Sequence, residues 1–252
     1  MTLSPHISQQ FPSPVWRMEI DGLNDILFAE IRNNEDKSVS FSAVGLKTGE
    51  IYFDDLTTPE RWLTGIEAAW DGVLLIHYYQ SESGPAHKGL MAVNALNGET
   101  LWTNFSYSFD HLTAKGPVVY DSRIQPRKLF LADIKTGAAT RIYEPYIESE
   151  PQNHLQIPRQ VLADDIPSDL SIPHPYANWV HYLEYNNFRI VSLHALKAGT
   201  LVQTLFVFDG DCLVYEDLLN TAIQKIQPEA FILHKNCLIY IKNKTELKVL
   251  SL

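Results

Sequence analysis

The sequence predicts an all-β protein built from repeated small sheets, and three observations carry that reading. A phrase of strand, glycine-centred turn and strand recurs. Its clearest copy is residues 89–96, then Asn97-Gly98-Glu99, then 100–102; others turn at Lys47-Thr48-Gly49, Lys135-Thr136-Gly137 and Lys197-Ala198-Gly199. The flanking runs alternate apolar and polar residues, so that Val39, Phe41 and Ala43 share one face of a two-residue period. An Asp-Gly pair stands at the same place in the first two copies, Asp21-Gly22 and Asp71-Gly72, at nearly equal distances from the Gly49 and Gly98 turns.

Residues 1–14 carry Pro5, Pro12 and Pro14 among polar residues and read as an extended arm. The first unit has strands at 16–20, 25–31, 38–46 and 51–53, the last two joined at Gly49. The second repeats this order at 66–70, 73–79, 89–96 and 100–105, with 80–88 a polar turn. A shorter third unit has strands at 116–120, 128–134 and 139–143. Residues 144–178 break the rhythm with Pro145, Pro151, Pro158, Pro167, Pro173 and Pro175, and with acidic residues facing the single Arg159. This stretch reads as an inserted, mostly extended loop, and long irregular loops in compact domains tend to be functional or disordered. A fourth unit follows at 179–185, 188–196 and 201–208, and a fifth at 230–234, 237–241 and 246–252. Between them, Leu219, Ala222, Ile223 and Ile226 fall at helical spacing, with Asp217 before and Pro228 beyond; 216–226 is predicted to be a connecting helix.

Glycine in the turns has a physical reason. The end of a tight hairpin loop needs positive φ, which glycine adopts without a Cβ clash. Five units of three or four short strands predict radial repetition, a five-bladed β-propeller with six blades as the rival count, as one domain over residues 1–252. A twisted sheet with two apolar faces buries both only by stacking on neighbours, and the first and last sheets must also meet. The fifth unit lacks its outer strand, so part of residues 3–15 is expected to pair beside 246–252, closing the ring through the chain's two terminal strands. A rival assignment uses residues 15–20 for that strand; the alignment of Asp21-Gly22 with Asp71-Gly72 favours the former.

Two phrases carry a family resemblance. Ala92-Val93-Asn94-Ala95-Leu96-Asn97-Gly98-Glu99-Thr100-Leu101-Trp102, and Gly116-Pro117-Val118-Val119-Tyr120 with Leu131-Ala132-Asp133-Ile134-Lys135-Thr136-Gly137, resemble the repeat of pyrroloquinoline-quinone-type (quinoprotein-like) propellers. That repeat closes a strand on a Leu-Asp-x-x-Thr-Gly-like turn and follows it with Trp; here only Trp102 holds that place. The resemblance implies the fold. It does not bring the quinone, because no quinone-site motif accompanies it, and no cofactor is expected. In length and texture the chain is also similar to an uncharacterised propeller-like family of Bacteroidota, which implies a bacterial source and no known activity.

Composition narrows the function classes. Net charge is −10, and no Lys/Arg stripe supplies the basic face that nucleic acid requires. No apolar run is long enough to span a membrane, and the first residues have neither a basic nor an apolar leader segment. Cys212 and Cys237 match no zinc spacing; a disulfide is open but not implied, and the expectation is two half-buried thiols in a reducing cytoplasm.

No Gly-x-Ser-x-Gly, phosphate loop, His-Glu-x-x-His or Cys-x-x-Cys occurs, so no catalytic residue and no metal site is assigned. His77 and His194 read as strand histidines with one hydrogen bond each. Asp209-Gly210-Asp211 reads as a turn, lacking the later ligands of a calcium loop. His174, Tyr176, Trp179 and His181, where the long loop enters the fourth unit, form the candidate ligand-binding patch. The resulting expectation is a non-catalytic scaffold that binds a protein or small ligand. The alternative is a carbohydrate-active hydrolase with paired carboxylates in the central channel.

Overall fold

The computed structural model describes residues 2–143, 148–228 and 230–252. The chain packs as two compact units, Ser13–Asn153 and Met1–Pro12 together with His154–Leu252. The first strand, β1 (Ile7–Gln10), belongs to the latter. Within Ser13–Asn153, three antiparallel sheets succeed one another. The first is β2 (Val15–Asp21), β3 (Ile26–Asn33), β4 (Ser38–Gly45) and β5 (Ile51–Leu56). The second is β6 (Thr64–Trp70), β7 (Val73–Ser81), β8 (Gly84–Asn94) and β9 (Thr100–Asn104). The third is β10 (Tyr107–Thr113), β11 (Gly116–Asp121), β12 (Leu129–Ala132) and β13 (Ala139–Arg141). Each is hydrogen-bonded in chain order.

The other unit holds β14 (Leu155–Gln156), β15 (Arg159–Leu162), β16 (Trp179–Tyr185), β17 (Phe188–Lys197), β18 (Thr200–Asp209), β19 (Cys212–Ile223), β20 (Ile232–His234), β21 (Cys237–Lys242) and β22 (Glu246–Ser251). One five-stranded sheet runs β15-β16-β17-β18-β19, and the other runs β1-β22-β21-β20-β14. The arm therefore supplies the strand missing from the fifth unit: Ile7 pairs Val249 and Gln10 pairs Glu246. Phe11, fully buried, extends the contact by donating its N–H to the Thr245 carbonyl.

Alternation decides what each sheet buries. In Ser13–Asn153, Phe28, Phe41, Ile66, Leu74 and Met91 form one apolar cluster between the first two sheets. Trp70, Leu75, Ala92 and Ile134 form another with Trp102 and Phe109. In the other unit, Ile190, Leu205, Val207 and Leu219 pack with Leu233, Leu238, Tyr240 and Leu250. The opposite face of that first sheet, at Val191, Leu193 and Phe206, is covered by Ile166 and Leu170 from the proline-rich stretch.

The glycine turns share one geometry in the first three sheets. Gly49, Gly98 and Gly137 all have φ near +70° (71°, 73° and 71°), and each donates its N–H to the carbonyl four residues earlier, on Gly45, Asn94 and Asp133. The side chains of Asn94 and Asp133 accept N–H groups inside the loop. The fourth turn differs. Lys197 pairs Thr200, leaving Ala198 and Gly199, both at positive φ, as a two-residue loop.

Three sequence expectations are corrected. Residues 216–226 do not form a helix; most of them lie in β19, paired along β18. Register shifts at three places in that ladder break the two-residue period, and the leftover pattern of Leu219, Ala222 and Ile223 imitates a helix. The third sheet has a first strand, β10, that the pattern did not reveal, because a register shift between Phe109 and His111 interrupts its alternation. Residues 84–88, expected as turn, are strand. In the 144–178 stretch, residues 144–147 lie outside the described residues; the remainder contributes β14 and β15 as edge strands and two short 3-10 turns at Ala163–Asp165 and Tyr176–Asn178.

Candidate functional site

The structure places the four residues of the expected patch in different surroundings. His174 is exposed in the loop before the 3-10 turn. Tyr176 (45% exposed) lines an open cleft of about 790 Å³ with Leu196, Thr200, Leu201, Ile223 and Ile226. Trp179 (42% exposed) begins β16 and is not among the residues lining that cleft. His181 is buried on β16, opposite Ser192 of β17. It stands in a buried polar group with His194 and Gln203: Asn220 donates to Gln203, and Gln203 lies within hydrogen-bond reach of Ser192. The 227–228 backbone covers both histidines, with the Gln227 N–H donated to His194 Nε2 at 3.0 Å and the Pro228 carbonyl bonded to His181. Burial first, and then the nearby His181, hold the His194 pKa down to about 4; burial also lowers that of His181.

A second site, in Ser13–Asn153, was not singled out from sequence. Glu67 of β6, His77 of β7 and His87 of β8 come together there. Two irregularities in the sheet place them. Ile66 pairs Ile76 and Ala68 pairs Leu75, so Glu67 is the extra residue of a bulge. His77 pairs Leu90 while Tyr78 pairs Lys88, so Gly89, at φ +71°, is the extra residue on β8. Bulges bend a strand and re-aim its side chains. Beyond the second bulge His87 stands opposite Tyr79, two residues from His77 on the same face.

The resulting geometry is tight. His87 Nδ1 lies 2.9 Å from Glu67 Oε2, and His77 Nδ1 lies 3.3 Å from the same oxygen. The imidazoles stack with centroids 3.6 Å apart and planes 8° from parallel, and Tyr79 meets both edge-on. His77 is 2% exposed and His87 31%. Despite the short approach to Glu67, neither ring nitrogen of His77 has a partner in hydrogen-bond geometry.

Around this group the first two sheets are clamped by charge. Buried Glu30 accepts the Ile66 N–H at 2.8 Å and the Arg32 Nε–H at 2.6 Å. Arg32 donates to the Thr64 carbonyl and lies over the rings of Trp62 and Trp16. Arg17 donates to the Ile66 and Glu67 carbonyls at the bulge, and also to Glu19. Gly65 leaves room for this packing: a Cβ there would stand 3.0 Å from Glu30 Oε2 and 3.1 Å from His77 Nε2.

The electrostatics split the two carboxylates. Burial raises the Glu19 pKa against the opposing pull of Arg17, and Glu67 adds to the rise. Burial would also raise Glu67, but the closely approaching ring of His77 and the hydrogen-bonded ring of His87 outweigh it, so its pKa is lowered. Burial lowers the His77 pKa against the opposing pull of Glu67. Among the described residues, Glu67, His77 and His87 are the group of three whose ligand atoms, all within 4.8 Å of one another, are placed to hold a metal ion.

A family profile described as "Domain of unknown function (DUF4905)" matches residues 20–102, within the first two sheets. No curated protein matches the chain. Among solved structures, all of the chain aligns with all of BamB from Moraxella catarrhalis at 8% identity and a TM-score of 0.35. Raptor from Chaetomium thermophilum aligns with 99% of the chain over 29% of its own length, at 11% identity and 0.40. An endo-arabinase from Bacteroides thetaiotaomicron aligns with 98% of the chain over 96% of its own, at 10% and 0.23. At these scores none bears on what this chain does.

Proposed function

We propose that this protein is a non-catalytic β-propeller scaffold of five blades that binds a partner protein or a small ligand. Five successive antiparallel sheets of four or five strands, the last completed by β1 beside β22, support the architecture. The observation that carries the binding reading is the open cleft in which Tyr176 and Leu196, both strongly exposed, stand over Thr200, Leu201 and Ile223. Exposed aromatic and aliphatic side chains around a concave surface suit an apolar segment of a ligand or partner. Cys212 and Cys237, which are not joined in a disulfide, accord with the proposed cytoplasmic location.

The test compares wild type with a Tyr176→Ser/Leu196→Ser variant, checked for native circular dichroism, in affinity enrichment from the source cell. Ligands enriched at least tenfold by wild type and lost by the variant support the cleft; retention of the same set by both refutes it.

The opposed directions of the Glu19 and Glu67 shifts favour a second reading, a hydrolase of glycosides, because such chemistry uses two carboxyls of unequal acidity. Turnover of aryl glycosides that Glu19→Gln abolishes would establish it, and inert wild type across a panel of such substrates removes it.

A further inference from the structure

We propose that Glu67, His77 and His87 form a binding site for one divalent transition-metal ion of the zinc class, held by two imidazole nitrogens and one carboxylate oxygen. The inference stands independently of the scaffold reading above. Donor chemistry, spacing and an unpartnered buried group carry it.

Two imidazoles with one carboxylate suit zinc and its neighbours in the first transition row, and three protein ligands leave a further position for water or a small anion. Zinc bonds to nitrogen and oxygen of about 2.0–2.1 Å put tetrahedral ligand atoms roughly 3.3 Å apart. The His77 nitrogen stands 3.3 Å from the Glu67 oxygen, at that value, and the His87 nitrogen lies 2.9 Å from the same oxygen, hydrogen-bonded to it. His77 is the independent sign of a ligand: a ring 2% exposed, with both nitrogens outside hydrogen-bond geometry, and its Nδ1 aimed into the group. A buried polar group without a partner is costly, and a metal ion satisfies it.

The fold has also invested backbone irregularity here. One bulge sets Glu67 and the other, at Gly89, resets the register before His87. Arg17 binds the carbonyls at the first bulge and fixes that strand from outside. The partly exposed His87 gives the ion its way in, and the fully covered His77 closes the floor.

The stack defines how an ion is taken up. Parallel rings cannot both point an in-plane lone pair at one ion, so one ring must turn. His77 is confined between Tyr79 and Gly65, whereas His87 faces solvent; His87 is the ring that turns.

The test uses the full chain without an affinity tag, stripped with chelator and titrated calorimetrically with Zn2+ at neutral pH. Co2+ absorption and histidine ring proton resonances provide spectroscopic readouts. The expected result is one ion per chain, Co2+ d–d bands of a low-coordinate site, and shifts of the His77 and His87 ring protons. His87→Gln should weaken binding at least 100-fold and Glu67→Gln at least tenfold, while the exposed His174→Gln should leave it unchanged. His87 is partly exposed and Glu67 largely covered, so the melting curves of both variants verify folding before titration. Absence of stoichiometric binding to the folded wild type overturns the proposal. So does Zn2+ binding of equal strength in wild type, His87→Gln and Glu67→Gln, which would mark adventitious surface binding only.

Discussion

At the scale of single residues, burial of ionisable groups is the feature with measurable consequences. His194 is almost fully covered and accepts the Gln227 N–H, so the neutral ring is the form the fold holds. Its folded pKa of about 4 lies below the ordinary value of 6.5, which the unfolded chain recovers. Between these values the unfolded state binds more protons. The contribution to stability is therefore complete above pH 6.5 and is lost as pH falls towards 4, by up to about 3 kcal/mol. The pKa values of His77 and His181 are also lowered and act in the same direction. Urea unfolding at pH 7 and pH 5 should show the lower stability at pH 5. His194→Gln, which keeps an acceptor for Gln227, should flatten the difference. None of this was readable from the sequence, where His194 is one alternating residue among others; its burial comes from strands and a covering segment far along the chain.

At the scale of elements, the glycine turn is the unit that repeats, and its copies differ in what lies against them. A Cβ on Gly98 would make ordinary contact with Phe53 at 3.4 Å. A Cβ on Gly137 would come within 2.7 Å of the Trp102 ring, whose indole N–H is tied to the Ile134 carbonyl at 2.8 Å. Gly98→Ala should therefore cost about 1–2 kcal/mol from the left-handed backbone alone. Gly137→Ala should add an overpacking cost of about 1–3 kcal/mol. Chemical denaturation of the two variants beside wild type measures the gap, and equal losses would show that Trp102 moves aside freely. The turns themselves were legible because glycine at positive φ leaves a local signature. The strands β10 and β19 were not, since register shifts erase the alternation by which a strand is recognised.

At the scale of the whole molecule, the two terminal strands are antiparallel neighbours in one sheet, with Ser8 also bonded to Glu246. Chain order and spatial order are then separable: a permutant can join residue 252 to residue 2 through a short Gly/Ser linker and open at the exposed hairpin tip between Glu82 and Ser83. Such a permutant should fold and melt within a few degrees of wild type. Deleting residues 2–11 should instead expose the buried face that Ile7 and Phe11 cover, losing roughly 1.5–3 kcal/mol for each of those side chains. It should also leave β22 as an open edge prone to association. Thermal melting with light scattering distinguishes the three proteins; a deletion as stable and monodisperse as wild type would mean that β1 contributes nothing.

The sequence by itself determined the all-β class, the five sheet-forming units in outline without β10 and β19, the glycine turns and the pairing of the arm with the last strand. These follow from local periodicity, from φ preferences and from counting a strand that the fifth unit lacks. Only the tertiary structure decided which polar residues meet. Glu67, His77 and His87 lie on three strands, and their convergence depends on two one-residue offsets in the ladder. The near-symmetric placement of the two histidines about the hairpin tip was the one available hint. A bulge changes which face a side chain occupies, and nothing in composition or spacing records that change; the pairing of the strands does.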